Sequence, residues 1–286
     1  MRRRVWLRAA ALAAVLLGVI VGVTIYFSSE NVPPCLVSGA PKWRPPTDGK
    51  THRYMVVFPD RAACFYALDD GQKLVGALRL SEARDTSYAA PLVDDIGLRT
   101  ESGPDTLDLR TGRLSKGGLV PFPSDTLNVI DAEHQVMYVT QRGLLGFRVL
   151  DLRTGVTRYV VHFKGFTWNP RFGPNPPSHG LSLAPDRPEL WVLDAPNHAL
   201  HIFDVSALPD SPPRRIGDVR MERTMTQPGW LLGSADGRFL YVAGSGDVID
   251  TRTRTSVADV DALAEAQAMV EVDWVDGRPV FPGFPR

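Results

Sequence analysis

Only two of the 286 residues are cysteine, Cys35 and Cys64, so no thiolate set exists for a structural zinc site. Neither sign of charge is in excess: Lys plus Arg and Asp plus Glu each number 32. No bulk field therefore draws nucleic acid or strongly acidic partners. The motifs of several chemistries are missing. There is no G-x-S-x-G elbow for a serine nucleophile, no H-E-x-x-H for a zinc hydrolase, no P-loop and no C-x-x-C-H haem site. No calcium loop of closely spaced carboxylates is evident. The histidines at 52, 134, 162, 179, 198 and 201 are scattered, and only His198 and His201 lie close together. From these absences we expect no cofactor and no metal site.

What is present begins at the N-terminus. Arg2, Arg3, Arg4 and Arg8 precede an uncharged stretch from Ala9 to Phe27. At about 1.5 Å per helical residue that stretch matches the hydrocarbon thickness of a bilayer. Basic residues stay on the cytoplasmic side, so the expected order is a cytoplasmic segment 1–8, a signal anchor 9–27 and an exported remainder. A cleaved signal peptide is the rival reading, but Tyr26 or Phe27 would then sit at a position that prefers small residues. Outside the cytoplasm Cys35 and Cys64 can pair, tying the segment after the anchor to the first strands. The other reading leaves two thiols. Residues 28–51 read as a linker, because Pro33-Pro34, Pro41 and Pro45-Pro46 interrupt regular structure.

From His52 onward, short β-type runs alternate with turns, and a repeat emerges. Five apolar runs end in an acidic residue: Asp69, Asp108, Asp151, Asp204 and Asp250, spaced by 39, 43, 53 and 46 residues. A four-stranded propeller blade needs about 40–45. The turns repeat as well, since Asp108-Leu109-Arg110-Thr111-Gly112 returns as Asp151-Leu152-Arg153-Thr154-Gly155. The fullest unit runs through His179-Gly180-Leu181, Leu190-Trp191-Val192-Leu193-Asp194 and His201-Ile202-Phe203-Asp204. It returns through Gly229-Trp230-Leu231, Phe239-Leu240-Tyr241-Val242 and Val248-Ile249-Asp250. The fold expected for 52–286 is all-β, a β-propeller of about five four-stranded blades, with six or more left open by the count. The first repeat lacks an innermost strand, while Val270–Val275 and Pro279–Phe281 form a hairpin across Asp276-Gly277. That hairpin is expected to complete the first blade and remove an exposed edge. Residues 259–269 read as one short helix before it.

These units resemble the YVTN-type repeat of the quinoprotein-like and lactonase-like propeller superfamily. Tyr138-Val139-Thr140-Gln141 follows the naming tetrad except that Gln replaces Asn, and Asp186 is followed by Arg187 where the family has Gly. The resemblance covers residues 120–260 well and 52–120 loosely, and it implies a fold far more than an activity.

In such a fold the connections between blades gather on one face. The longest runs from Gly165 to Ser178 and holds Trp168, Asn169, Arg171 and Phe172 among four prolines. It is either a stiff binding loop or a surface cover. His179 follows it, and the resemblance implies that a His there faces the channel, where it is the best catalytic candidate or a hydrogen-bonded structural residue. Gln227 and Trp230 occupy the matching place in the next unit, with Arg220 and Arg223 nearby. The leading expectation is a membrane-tethered propeller that binds a protein, peptide or cell-envelope component through this face. The alternatives are a lactonase-like or quinoprotein-like enzyme with its site in the central channel, and a degenerate scaffold.

Overall fold

In the computed structural model, residues 32–92, 94–117, 128–168, 176–223, 225, 229–266 and 268–282 are described. The expected anchor lies outside them, as do Asn169, Arg171, Phe172 and Gln227. No helix among the described residues is long and apolar enough to cross a membrane.

The chain folds as a five-bladed β-propeller. The second blade is β4 (Tyr88–Pro91), β5 (Asp95–Thr100), β6 (Gly103–Asp108) and β7 (Arg113–Lys116). The third is β8 (Asn128–Asp131), β9 (Val136–Val139), β10 (Gly146–Asp151) and β11 (Thr157–His162). The fourth is β12 (Leu181–Leu183), β13 (Glu189–Asp194), β14 (Ala199–Asp204) and β15 (Arg214–Arg220). The fifth is β16 (Leu231–Gly233), β17 (Phe239–Val242), β18 (Asp247–Asp250) and β19 (Thr255–Asp259). Each is an antiparallel sheet in chain order, so successive strands run in alternate directions. Connections between blades, and turns between second and third strands, therefore gather at one end. The remaining turns gather at the other.

The first blade joins both ends of the domain. Its strands β1 (His52–Phe58), β2 (Ala62–Ala67) and β3 (Lys73–Arg79) take their innermost partner from β20 (Ala268–Val275), in register from His52 opposite Trp274 to Phe58 opposite Ala268. The turn at Asp276-Gly277 then returns the chain as β21 (Arg278–Val280), which pairs with the axial edge of β20. The closing hairpin is thus where the sequence places it. The helix before it is shorter than the 259–269 expected. Only Asp261–Ala264 is helical, because the Val260 N–H still bonds to the Gly246 carbonyl at 2.8 Å and Ala268 already begins β20.

The five repeat aspartates all lie at or just beyond the end of the third strand, counted from the axis. Asp108 accepts from Arg110 N at 2.8 Å and Thr111 N at 3.2 Å; Asp151, Asp204 and Asp250 fasten their turns in the same way. Such bonds satisfy N–H groups that the hairpin leaves unpaired. Asp69 differs: it reaches across to Arg53 N at 3.1 Å. Further up the same strands, equivalent positions hold Cys64, Asp105, Arg148, His201 and Asp247. The first, third, fourth and fifth of these lie just before a β-bulge in their strand. In every blade this position holds a polar or sulfur-bearing side chain. Asp105 takes Thr100 and Lys116, and His201 lies between Asp194 at 3.0 Å and Asp218 at 2.7 Å.

Cys64 takes a disulfide to Cys35. The stretch read as a linker is packed onto the first blade between Pro33 and Trp43. A one-turn helix, α1 (Pro34–Val37), carries Cys35, and Trp43 stacks on Phe65 with ring centroids 3.9 Å apart. The Trp43 indole N–H donates to the Leu109 carbonyl of the second blade at 3.0 Å. Gly76 makes room: a Cβ there would stand 3.0 Å from the Trp43 backbone. A polar clasp completes the ring. Arg53 bonds Glu271 at 2.5 Å and Asp236 of the fifth blade at 3.1 Å, and Glu271 accepts from Ala235 N at 2.8 Å. Burial pushes the Glu271 carboxyl up. Burial also pushes Asp236 up, but Ser234, the Arg238 N–H and Arg53 outweigh it and hold that group at about 2.

Candidate functional site

The strongest convergence of unusual side chains is where the axis meets the end that carries the connections between blades. Trp230, just before β16, touches two rings: His179 at 5.0 Å between centroids, edge-on, and Tyr88 at 6.0 Å. Tyr88 belongs to the second blade, His179 to the fourth and Trp230 to the fifth. The second and fifth blades are not neighbours in the ring, so a contact between them crosses the axis.

Local sequence sets these positions. Gly229 is the residue that lets the chain enter β16, because a Cβ on it would fall 1.7 Å from the Ala243 carbonyl oxygen. The same glycine presents its own carbonyl to His179 Nδ1 at 2.9 Å. A carbonyl only accepts, so Nδ1 carries the proton. Burial holds the His179 pKa below its usual 6.5, with the Gly229 carbonyl opposing in part. The ring is therefore neutral at physiological pH, and Nε2 is left as an acceptor. Burial also pushes the Tyr88 phenol up, so it remains a hydroxyl.

Farther along the same inner strands, toward the opposite end, is an axial cavity of about 320 Å³. Ala89, Ser182 and Leu232 line it together with Pro185 and Ala235 of the turns after β12 and β16, and none of the three rings does. Glu271 and Pro282, which follows β21, also border it. The walls are mainly apolar, as in ordinary small-molecule sites.

The other expected site residues separate. Trp168 is half-buried and makes no ring contact with the trio. Its neighbour Phe166 packs on His201 at 4.5 Å, with the Arg215 guanidinium 5.4 Å from the ring, so Phe166 lies against the fourth blade. Arg223 is paired to Asp259 at 2.7 Å and Asp261 at 3.0 Å. Arg220 ends β15 and is exposed. Among the described residues no three His, Cys, Asp or Glu side chains gather as a metal site. Tyr88 was missed in the sequence; the only signal was an aromatic opening an inner strand, without a neighbouring motif. His198 lies in the turn before β14, with Nδ1 accepting from Met225 N at 3.3 Å.

No family model matches the chain, and no curated protein matches it. Among solved structures, a protein of unknown function from Bacteroides caccae aligns at 12% identity over 77% of this chain and 98% of its own, with a TM-score of 0.47. A dihydro-heme d1 dehydrogenase, NirN, in complex with DHE, aligns at 16% identity over 80% of this chain, with a TM-score of 0.37; the chain spans 48% of that protein. The β-propeller domain of Cps50 (Swd1) from Myceliophteria thermophila aligns at 13% identity over 73% of this chain and 68% of its own, with a TM-score of 0.36. These likenesses are too distant to bear on activity, and the chain is described by its own architecture, a five-bladed propeller closed through both ends of its folded domain.

Proposed function

We propose that the chain is a membrane-anchored, extracytoplasmic propeller that binds a protein, peptide or cell-envelope component at the end where the blades are connected. The observation that carries this reading is the trio of Tyr88, His179 and Trp230, which meets across the axis from three blades. Part-exposed aromatic rings beside a fixed hydrogen-bond acceptor are a typical anchor for a partner. The Cys35–Cys64 disulfide supports an oxidising compartment. The test is capture of envelope components by the full chain. Trp230→Ala and His179→Ala, each folded, should reduce capture of the same component at least tenfold; undiminished capture by both removes this site.

One observation favours a second reading, an enzyme of the lactonase-like or quinoprotein-like kind. His179 is neutral and its Nε2 is left as an acceptor, which suits a general base. A lactone hydrolysis screen with metal analysis of the purified chain separates the two. Turnover abolished in His179→Ala supports the enzyme; turnover retained in that variant removes His179 from catalysis.

A further inference from the structure

The channel of the propeller already accommodates one extended segment. β21 adds to the axial edge of β20, with Val280 opposite Asp273, Pro279 opposite Trp274 and Arg278 opposite Val275. The innermost strands of the fourth and fifth blades, β12 and β16, have no such partner, because each pairs with one strand only. Their free edges border the axial cavity of about 320 Å³, and Leu183 and Gly233 are both part of its wall.

Ladder geometry sets which backbone groups face it. In an antiparallel pair, residues bonded to the one opposite alternate with residues whose N–H and C=O point away from the partner strand. Ala184 N donates to the Glu189 carbonyl at 2.9 Å and Leu193 N to the Gly180 carbonyl at 3.0 Å, which makes Leu183, opposite Leu190, a residue of the second kind. In the fifth blade Ser234 N donates to the Phe239 carbonyl at 2.8 Å and Ala243 N to the Trp230 carbonyl at 3.0 Å, which makes Gly233, opposite Leu240, its equivalent. The N–H and C=O of Leu183 and Gly233 are therefore directed to the axis, with no partner among the described residues. The Ser182 hydroxyl is free there as well. A Cβ on Gly233 would stand 2.8 Å from Ser182 Oγ, so the glycine leaves that hydroxyl open.

The other polar side chains of the wall are already engaged. Ser234 donates to Asp236 at 2.6 Å and accepts from Phe239 N at 2.8 Å. Glu271 is the one ionisable lining residue, and both its oxygens accept, one from Arg53 at 2.5 Å and the other from Ala235 N at 2.8 Å. A charge entering the cavity would meet a mainly apolar wall and no free counter-charge. What the wall leaves free is uncharged and balanced, N–H groups beside C=O groups along two strand edges. A ligand that answers them brings N–H and C=O groups at strand spacing on an apolar body. We propose that the axial cavity binds a short, uncharged, apolar peptide segment, whose backbone adds to the free edges at Leu183 and Gly233 as β21 adds to β20.

None of the three rings of the mouth lines this cavity, so the two sites stand or fall separately. The test is calorimetric titration of the full chain with N-acetyl-leucine N-methylamide, with its analogue in which an ester oxygen replaces the leucine N–H, and with free leucine. The blocked leucine should bind saturably with a Kd on the order of 1 mM or tighter, and the ester and the charged amino acid each about tenfold more weakly. Ala89→Phe, which places a ring in the cavity, should abolish binding. Ser182→Ala removes a hydroxyl that the fold does not use, so it should fold and weaken binding about fivefold. No saturable binding of the blocked leucine overturns the proposal. Equal binding of the ester overturns it too, since the cavity would then select apolar bulk and not a backbone. So does unchanged affinity in both folded variants, or binding that survives Ala89→Phe and is lost in Trp230→Ala, which would place the ligand at the mouth.

Discussion

The first and fourth blades solve the same packing problem with different means. The fourth is four consecutive strands, Leu181 to Arg220, each joined to the next by a local connection. The first takes its inner strand from Ala268–Val275, far along the chain from its other three strands, which end at Arg79. Its pairing closes a very long loop, which costs conformational entropy that a hairpin does not. The first blade is also where extra fastening collects: the Cys35–Cys64 bridge, the Trp43–Phe65 stack and the Arg53 clasp. At the equivalent third-strand position the fourth blade holds a buried imidazole between two carboxylates instead. Non-local closure is reinforced covalently and by packing; local closure leaves room for a polar interior.

The largest expected effect tests whether the segment before the propeller belongs to its core. Trp43→Ala should destabilise by about 4 kcal/mol, as much as Trp191→Ala in the fourth blade. Urea unfolding followed by fluorescence of the remaining tryptophans measures both. A loss under about 1 kcal/mol for Trp43→Ala alone would reduce that segment to a surface attachment.

The polar interior of the fourth blade comes next. His201→Leu leaves the fully buried Asp194 without its ring partner and should cost about 3 kcal/mol. The Cys35→Ala, Cys64→Ala double variant should cost a similar amount, about 3 kcal/mol, by freeing a loop of 29 residues. The thermal midpoint should fall by roughly 6–12 °C with reductant in the wild type and not at all in the double variant. If reductant changes nothing, the bridge does not hold the first blade.

A smaller effect is local to one turn. Asp108→Ala should cost about 1 kcal/mol, because two backbone N–H groups lose their acceptor to water. The smallest is a pH dependence. Asp236 is depressed to about 2 in the folded chain, so its contribution to the clasp is complete above about 4 and is lost as pH falls through about 2. The His179 pKa is lowered, so the unfolded chain takes up its proton first. Its contribution is present above about 6.5 and declines as pH falls below that. Glu271 runs the opposite way, since burial favours its protonated form in the fold. Acid unfolding of Arg53→Ala, set against wild type, separates the clasp from the rest.

The blade period, the five aspartates and the closing hairpin were all legible in the sequence. Asp108, Asp151, Asp204 and Asp250 act on the residues that follow them, and a missing inner strand at one end was matched by a spare hairpin at the other. Local cause left a local signature. Trp43 was not legible, because the prolines around it mark an irregular backbone whether it is packed or free. Tyr88 was missed since its partner Trp230 is brought to it only when the ring closes. Arg223 looked like a free cation and is in fact paired with Asp259 and Asp261, which follow it by more than 30 residues.

Capture at the aromatic mouth is the most direct measurement. The full chain, Trp230→Ala and Asp108→Ala would be compared for the amount of a single envelope component each retains at equal concentration. Asp108 is in a turn at the opposite end, so its variant controls for altered stability. Retention should fall at least tenfold in Trp230→Ala and stay at the wild-type level in Asp108→Ala. Equal retention by folded Trp230→Ala, or equal loss in both variants, would contradict binding at the mouth.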